Sequence, residues 1–385
     1  MLTQTEAMRT VGVEEEMLLV NIQDGRAHSV QGQLALRSSA LHPDAPDRTH
    51  AGTASDDVDG AVEGEFQQQQ LETHTPPVLR MSELEEQVRH WRAEAARAAR
   101  RADCRVAALA TSPLPVGPTP VAGERYAWIR ERFQFIARQQ LACGLHIHVS
   151  VESDEEGVGV LDRIRGWLPV LLALSSNSPF TEGEDTGFQS WRTQMMGAWP
   201  SSGPTELFGS AEAYHRLIHD LTESKVLLDE GMVYFDARLS HHYPTVEIRV
   251  ADVCSRVEDT VLIAGLARSV VETAAAEWAA GTPAPAVPSA LVRLATFQAS
   301  RFGMGGALLD PVTSRPRPAW EVVDSLLEWI GPALDDAGDR ESVREALHVI
   351  RQDGTGADLQ RATLERTGQL VDVVAQAVRT TAAQD

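Results

Sequence analysis

The sequence predicts a mixed α/β or α+β protein, and three observations carry that prediction. Short segments with period-two apolar alternation recur along the chain. Longer helical segments separate them, and the connections are irregular in length. No GxGxxG follows a strand, so a dinucleotide-binding domain is not supported.

In chain order, residues 11–20 read as a strand: Val11, Val13, Met17 and Leu19 alternate, with Glu14, Glu15 and Glu16 between them. Residues 25–62 are polar and rich in Asp, His, Pro and Gly, which predicts a long loop with one strand or short helix. The stretch "GEFQQQQLETHTPP" follows. Its Glu65 and Glu72 lie seven apart and cannot share a face of one strand, so a loop delivers Glu65 and a strand carries Glu72. Glu63 is a third acid nearby. Ser82 with Glu85 reads as a capping box opening a helix to residue 102. Residues 104–115 read as a strand and turn, 124–140 as a helix, and 142–151 as a strand. Residues 158–179 read as one mostly buried helix with a proline inside it. Ser210 caps a helix to residue 224. Residues 232–240 and 245–253 read as paired strands. A helix over 258–281 closes at Gly281, a Pro-rich loop follows at 282–288, and the remainder reads as a helical layer from about 282 to 385 on a single catalytic domain, 1–385.

The 385 residues carry a net charge of -21, which argues against nucleic acid or an anionic membrane as a general partner. Lys225 is the only lysine, and no GxxxxGK[ST] occurs, so a P-loop is excluded. Cys104, Cys143 and Cys254 are scattered, without CxxC or zinc-site spacing, which suits a reducing cytoplasm. The N-terminus lacks a basic start and an apolar core, so it does not read as a signal peptide. The longest apolar runs are too short to span a bilayer.

Strand parity locates the chemistry. Glu14 and Glu16 share one face of their strand, and Glu15 points to the other, so Glu15 is expected to be the most replaceable of the three. In "GLHIHVSV", His146, His148 and Ser150 oppose Leu145, Ile147 and Val149. In "TVEIRVADV", Thr245, Glu247 and Arg249 oppose Val246, Ile248 and Val250. Each motif alone has an ordinary reading: a solvated acidic run, a structural His pair, a cross-strand ion pair. Three strands with one apolar and one ionisable face point to a shared polar site. Two carboxylates 4 Å apart repel by about 4 kcal/mol at an effective dielectric near 20, so such a face needs arginines or divalent cations. Carboxylates with one or two imidazoles and no thiolates suit Mg²⁺ or Mn²⁺ better than Zn²⁺. Arg249, beside Glu247, is placed to hold an anionic group such as a phosphate.

The motifs "VGVEEEMLLV", "GEFQQQQLETHTPP", "CGLHIHVSV", "GFQSWR", "GMVYFDARLS" and "PTVEIRVADVC" occur in the order seen in glutamate–cysteine ligase family 2, the YbdK-like carboxylate–amine ligases. "ASRFGMGGALLDP" and "GTGADLQR" resemble that group too, and the resemblance runs from about Val11 to Arg361. It implies an α+β, glutamine synthetase-like fold: a curved, mainly antiparallel β-sheet forming an active-site trough, backed by helices. It implies ATP and Mg²⁺ or Mn²⁺ as cofactors, and small-molecule substrates. ATP would phosphorylate an amino acid side-chain carboxylate, usually glutamate's, and an amine, usually cysteine's, would displace the phosphate to form an amide. Carried over by motif, Glu14, Glu16, Glu65, Glu72, His146 and Glu247 match metal ligands, and Arg249 matches the arginine at the transferred phosphate. Arg192 in "SWR" resembles a carboxylate- or phosphate-binding arginine, and His148 lies near substrate or nucleotide rather than on the metal. Two features depart from the family pattern: the Gln67–Gln70 run, and "ESKVLLDE", which puts the only lysine near a lid.

Two other classes fit parts of the pattern. A metal-dependent hydrolase would use His146 and His148 as a zinc pair, but the later ligands usual in such barrels are not evident. A non-catalytic binding protein on an old enzyme fold would not need the full set of acids. A homo-oligomer is compatible with all three readings.

Overall fold

The computed structural model describes residues 8–30, 61–64 and 66–382. Glu65 and most of the predicted 25–62 loop therefore lie outside the described residues. Among the described residues, the main sheet has seven strands: β1 (Val11–Asn21), β2 (Ala61–Gly64), β3 (Gln70–His74), β4 (Cys104–Ala107), β5 (Gly144–Ser150), and, further along the chain, β8 (Ala237–Leu239) and β9 (Thr245–Asp252). Their order is β2-β3-β1-β5-β9-β8, and every pairing is antiparallel. β4 pairs with the end of β1, alongside β5. Two short strands between β5 and β8, β6 (Phe180–Thr181) and β7 (Glu184–Asp185), form a separate hairpin.

Alternation drives the sheet. Val11, Val13, Leu145, Ile147, Val149, Val246 and Ile248 all point to one face, each at most 1% exposed. Burying each such side chain stabilises the fold by roughly 1.5–3 kcal/mol, and Ile147→Ala would cost about 2–5 kcal/mol. Helices cover this face. The chain forms α1 (Met81–Arg101), α2 (Glu124–Phe133), α3 (Phe135–Gln139), α4 (Asp154–Ile164), α5 (Leu168–Ser175), α6 (Trp191–Met196), α7 (Ala211–Glu223) and α8 (Val257–Ala279). α8 lies behind β1 and β5, and α5 behind β9. The C-terminal part holds α9 (Ser289–Phe302), a hairpin of β10 (Ala307–Asp310) and β11 (Arg315–Pro318), then α10 (Ala319–Trp329), α11 (Gly331–Ala337), α12 (Arg340–Asp353), α13 (Gly356–Thr367) and α14 (Leu370–Ala382).

Three sequence expectations change in detail. α1 begins at Met81, not after Ser82: the Glu83 carboxylate accepts the Arg80 N–H at 3.3 Å, and Ser82 is already inside the helix. The 158–179 helix is two helices. α4 starts earlier, where Ser153 Oγ accepts the Glu156 N–H at 3.2 Å, and Pro169 sits in the first turn of α5, where its missing N–H costs nothing. The 124–140 helix breaks at Gln134, whose φ of 47° no helix accommodates. Among the described residues, no helix is long and apolar enough to cross a membrane.

Candidate active site

Strand pairing stacks the polar residues in three rows across the open face. In the first, Arg238 is opposite Glu247, Glu247 opposite His148, and His148 opposite Gly12. In the second, His146, Glu14 and His74 are consecutive neighbours. In the third, Glu63, Glu72 and Glu16 follow one another, with Glu16 next to Gly144. Four segments far apart in sequence therefore deliver their ionisable side chains to one patch.

Glu14 is its centre. Its carboxylate lies 3.2 Å from His146 Nδ1, 3.3 Å from His148 Nε2 and 3.3 Å from His74 Nδ1. Burial works against its charge, but these imidazoles, His148 foremost, hold it well below the usual carboxylate range. His74 also sits 3.4 Å from Glu72. Burial opposes its protonation, yet the Glu72 and Glu14 carboxylates outweigh burial and push it up to about 12. His146 behaves in the opposite way: burial, then the Arg249 charge, lower it to about 4, so its ring is neutral and free to act as a ligand. Glu247 is gripped twice. Arg238 Nε donates to it at 2.7 Å, and Arg249 donates from Nη1. Burial resists its ionisation, but the two guanidiniums keep it ionised.

Among the described residues, two sets of donor atoms converge closely enough to hold a cation: Glu14, Glu72 and His146, and Glu14, His148 and Glu247, each with its atoms within 4.8 Å of one another. Both share Glu14. The donor chemistry fits a divalent cation, being carboxylate and imidazole without thiolate. His148 Nε2 is buried and lies 3.3 Å from Glu14 Oε1 without a well-aligned hydrogen bond, an arrangement that a shared cation would complete. Of the residues singled out from sequence, Glu14, Glu72, His146, His148 and Glu247 are thus brought together. Glu16 is beside them, accepting the Gly144 N–H at 2.5 Å. Glu65 lies outside the described residues. His148 converges with Glu14 and Glu247, a ligand geometry that the family resemblance did not assign to it, although the His146 and His148 pair had a metal-binding reading of its own.

Arg192, on α6, lies over Gly144. It donates to Arg249 O at 3.2 Å and Val250 O at 3.4 Å, while its Nε is buried and unpartnered. A Cβ on residue 144 would collide with its Nη2, so the glycine makes room for the guanidinium.

Glu15 corrects one expectation. It faces the apolar side, as parity requires, but it is not readily replaceable. It is 2% exposed and accepts two bonds from Arg92 of α1, at 2.6 and 2.8 Å, and one from Thr260 Oγ1 of α8 at 2.7 Å.

Sequence reading passed over three residues. His74 stands two positions after Glu72, so alternation alone put it on the site face. Arg238, in the quoted "FDARLS" motif, faces Glu247 across the β8–β9 pair. Asp252 had no signal at all. β9 carries one extra residue opposite His146, a bulge at Arg249 and Val250, which turns Asp252 to the side that alternation assigned to Ala251.

The model of glutamate–cysteine ligase family 2 matches residues 10–378. Over 374 residues the chain is 50% identical to a protein of Streptomyces avermitilis provisionally named glutamate–cysteine ligase 2-1, covering 97% of this chain and 99% of that one. A Streptomyces coelicolor protein, provisionally named glutamate–cysteine ligase 2, is 47% identical over 376 residues, covering 98% of this chain and 100% of that one. Among solved structures, the glutamate–cysteine ligase of Francisella tularensis in complex with AMP superposes with a TM-score of 0.67 at 12% identity, covering 98% of this chain and 89% of that one. A bifunctional glutathione synthetase from Pasteurella multocida gives 0.67 at 16% identity, with 99% of this chain matched to 53% of that longer one. These likenesses show the glutamine synthetase-like fold: an antiparallel sheet, polar in front and helix-covered behind. None of them supports the hydrolase reading.

Proposed function

Because the chain belongs to glutamate–cysteine ligase family 2, and is therefore an ATP-dependent carboxylate–amine ligase, we propose that it joins the γ-carboxylate of glutamate to an amine, with cysteine the first candidate. The observation that carries this reading is the pair of cation-competent triads sharing Glu14, flanked by Arg238 and Arg249. We assign Glu14, Glu72, His146, His148 and Glu247 as the residues that hold Mg²⁺ or Mn²⁺, with Glu16 beside them. When bound, the cation spreads the charge of the ATP phosphates and of the transferring phosphoryl group.

The chain's own residues do the rest. Two guanidiniums share the one Glu247 carboxylate, so the trio keeps a net positive charge. That surplus faces the site and stabilises charge on the transferred phosphoryl oxygens. Arg192 is bonded to carbonyls and lies 3.9 Å from Asp252; it orients an anionic substrate group. The substrate carboxylate attacks the terminal phosphorus, the bond to ADP breaks, and an acyl phosphate forms. The amine then attacks that carbonyl, expels phosphate and leaves the amide. No side-chain nucleophile is required. Among the described residues, the buried Cys104, Cys143 and Cys254 form no disulfide, which supports a reducing cytoplasmic setting.

The test is an ADP-release screen over acid and amine pairs. Release with glutamate and an amine, lost on EDTA treatment and restored by Mg²⁺ or Mn²⁺, is the expected result. If no pair containing glutamate raises ADP above background, the substrate assignment falls.

A further inference from the structure

Two motifs have so far no job, "ASRFGMGG" and "GTGADLQR", and a third, "GFQSWR", has been used only for its Arg192. They are widely separated in sequence, yet the fold brings them to one place, the loop that ends in Arg192. The loop hangs from Asp252, which is fully buried at the bulged end of β9. Asp252 accepts the Asn177 N–H at 2.8 Å, Ser178 Oγ at 2.7 Å and Ser190 Oγ at 2.8 Å, clamping both ends of the loop. Ser178 Oγ in turn accepts the Arg192 N–H at 3.0 Å.

The C-terminal helices hold the loop from outside. Gln360 of α13 donates to both Asn177 O and Asn177 Oδ1, at 2.8 and 2.7 Å. Gly356, at the start of α13, packs so close to Asn177 that a Cβ there would collide with its Oδ1. Arg361 grips Asp185 through two nitrogens at 2.7 and 3.0 Å and donates to Gln189 Oε1 at 2.7 Å. From α9, Ser300 O accepts the N–H groups of Gln189 and Ser190 at 2.8 and 2.9 Å, and Arg301 donates to Gly187 O. α6 itself has six residues, too few to hold its own position.

We propose that Gln360 and Arg361 are positioning residues: α13 clamps the loop so that Arg192 stays over Gly144, ready for the anionic end of the amino acid substrate. The proposal rests on the ligase reading above for its consequence, but not for its geometry. Neither residue touches the site, so each acts through Arg192.

The experiment uses the full chain with Gln360→Ala and, because Gln360 is buried, a second variant at the more exposed Arg361, Arg361→Ala. Hydrogen exchange reads placement without any substrate. Amides of residues 178–192 should exchange roughly tenfold faster in either variant, while β1 and β5 keep wild-type protection. A double-mutant cycle with Arg192→Ala reads the consequence. Each α13 variant should raise KM for the acid substrate roughly tenfold with kcat nearly unchanged, and should add less than about twofold once Arg192 is gone. Equal factors in both backgrounds would mean a merely structural tail and would overturn the proposal, as would unchanged exchange in both variants. If the wild type releases no ADP with any pair, the reaction assignment fails separately. The clamp is then decided by exchange: faster exchange confined to the loop supports it, and unchanged exchange refutes it.

Discussion

Replacing Glu15 by glutamine should unfold this enzyme before it disables it. The carboxylate sits behind the sheet, where the Arg92 side chain is 0% and the Glu15 side chain 2% exposed. Arg92 also donates to Cys254 O at 2.8 Å and Ser255 O at 3.1 Å, so the guanidinium cannot swing out to water when its partner goes. The substituted amide would keep the shape and one acceptor but leave an arginine charge buried against carbonyls. Breaking a buried pair from one side costs about 3–5 kcal/mol. For 385 residues, an unfolding entropy of about 2.1 cal/mol/K per residue gives roughly 0.8 kcal/mol/K, so Tm should fall by about 4–6 °C if the chain unfolds as one unit. Calorimetry measures that drop, and an ADP assay well below Tm should show near-normal turnover. The double replacement Glu15→Leu with Arg92→Met should recover much of the loss, since replacing both partners removes the stranded charge. A Tm change under about 1 °C for Glu15→Gln would show that the pair is not the anchor its geometry indicates. A turnover loss matching that of Glu14→Gln would mean that parity does not separate the two roles.

Three further outcomes follow from the same face. Glu14→Gln and Glu247→Gln should each lower ADP release by about two orders of magnitude or more with a native circular dichroism spectrum, because each removes a charge from the site rather than from the core. Gly144→Ala should raise KM for the acid substrate about tenfold or more while Tm stays within roughly 2 °C: the new Cβ displaces the Arg192 guanidinium from its seat, and alanine is tolerated in a strand. Burial pushes the Asp236 carboxyl up to about 7, against the pull of Arg293 and Arg192. Its contribution to stability is therefore complete below the ordinary aspartate pKa and is lost as pH rises through 7, so Asp236→Asn should raise Tm at pH 8 and bring no gain at pH 4, with a ceiling of roughly 4 kcal/mol.

Much of the site was legible because period-two alternation is a local property. Glu14, His146 and Glu247 were readable as site-facing from their own strands, and the apolar backs of those strands said which side the helices would cover. The position of Glu15 was legible in the same way, but its cost was not: the cost comes from Arg92 and Thr260, on helices 77 and 245 residues away. His74 was within reach of the same parity argument. Arg238 needed the β8–β9 register, and the split of residues 158–179 needed the reading that a proline inside an apolar run starts a new helix.

Asp252 marks the point where alternation itself fails, and the failure has a function. If β9 stayed regular to its end, the residues after Arg249 would put Ala251 on the polar face and turn Asp252 into the core. One extra residue at Arg249 and Val250 reverses that. The bulge also turns the Arg249 and Val250 carbonyls toward Arg192, which donates to both. So a single irregularity supplies the seat for the Arg192 guanidinium and, at the strand's end, the carboxylate from which the Arg192 loop hangs. Sequence shows a bulge poorly, since it leaves composition and hydrophobicity unchanged. Its signature is three polar partners, Asn177, Ser178 and Ser190, drawn to one buried acid from a distant segment. Deleting one residue at the bulge would restore alternation, and by this argument it would remove both supports of Arg192 at once.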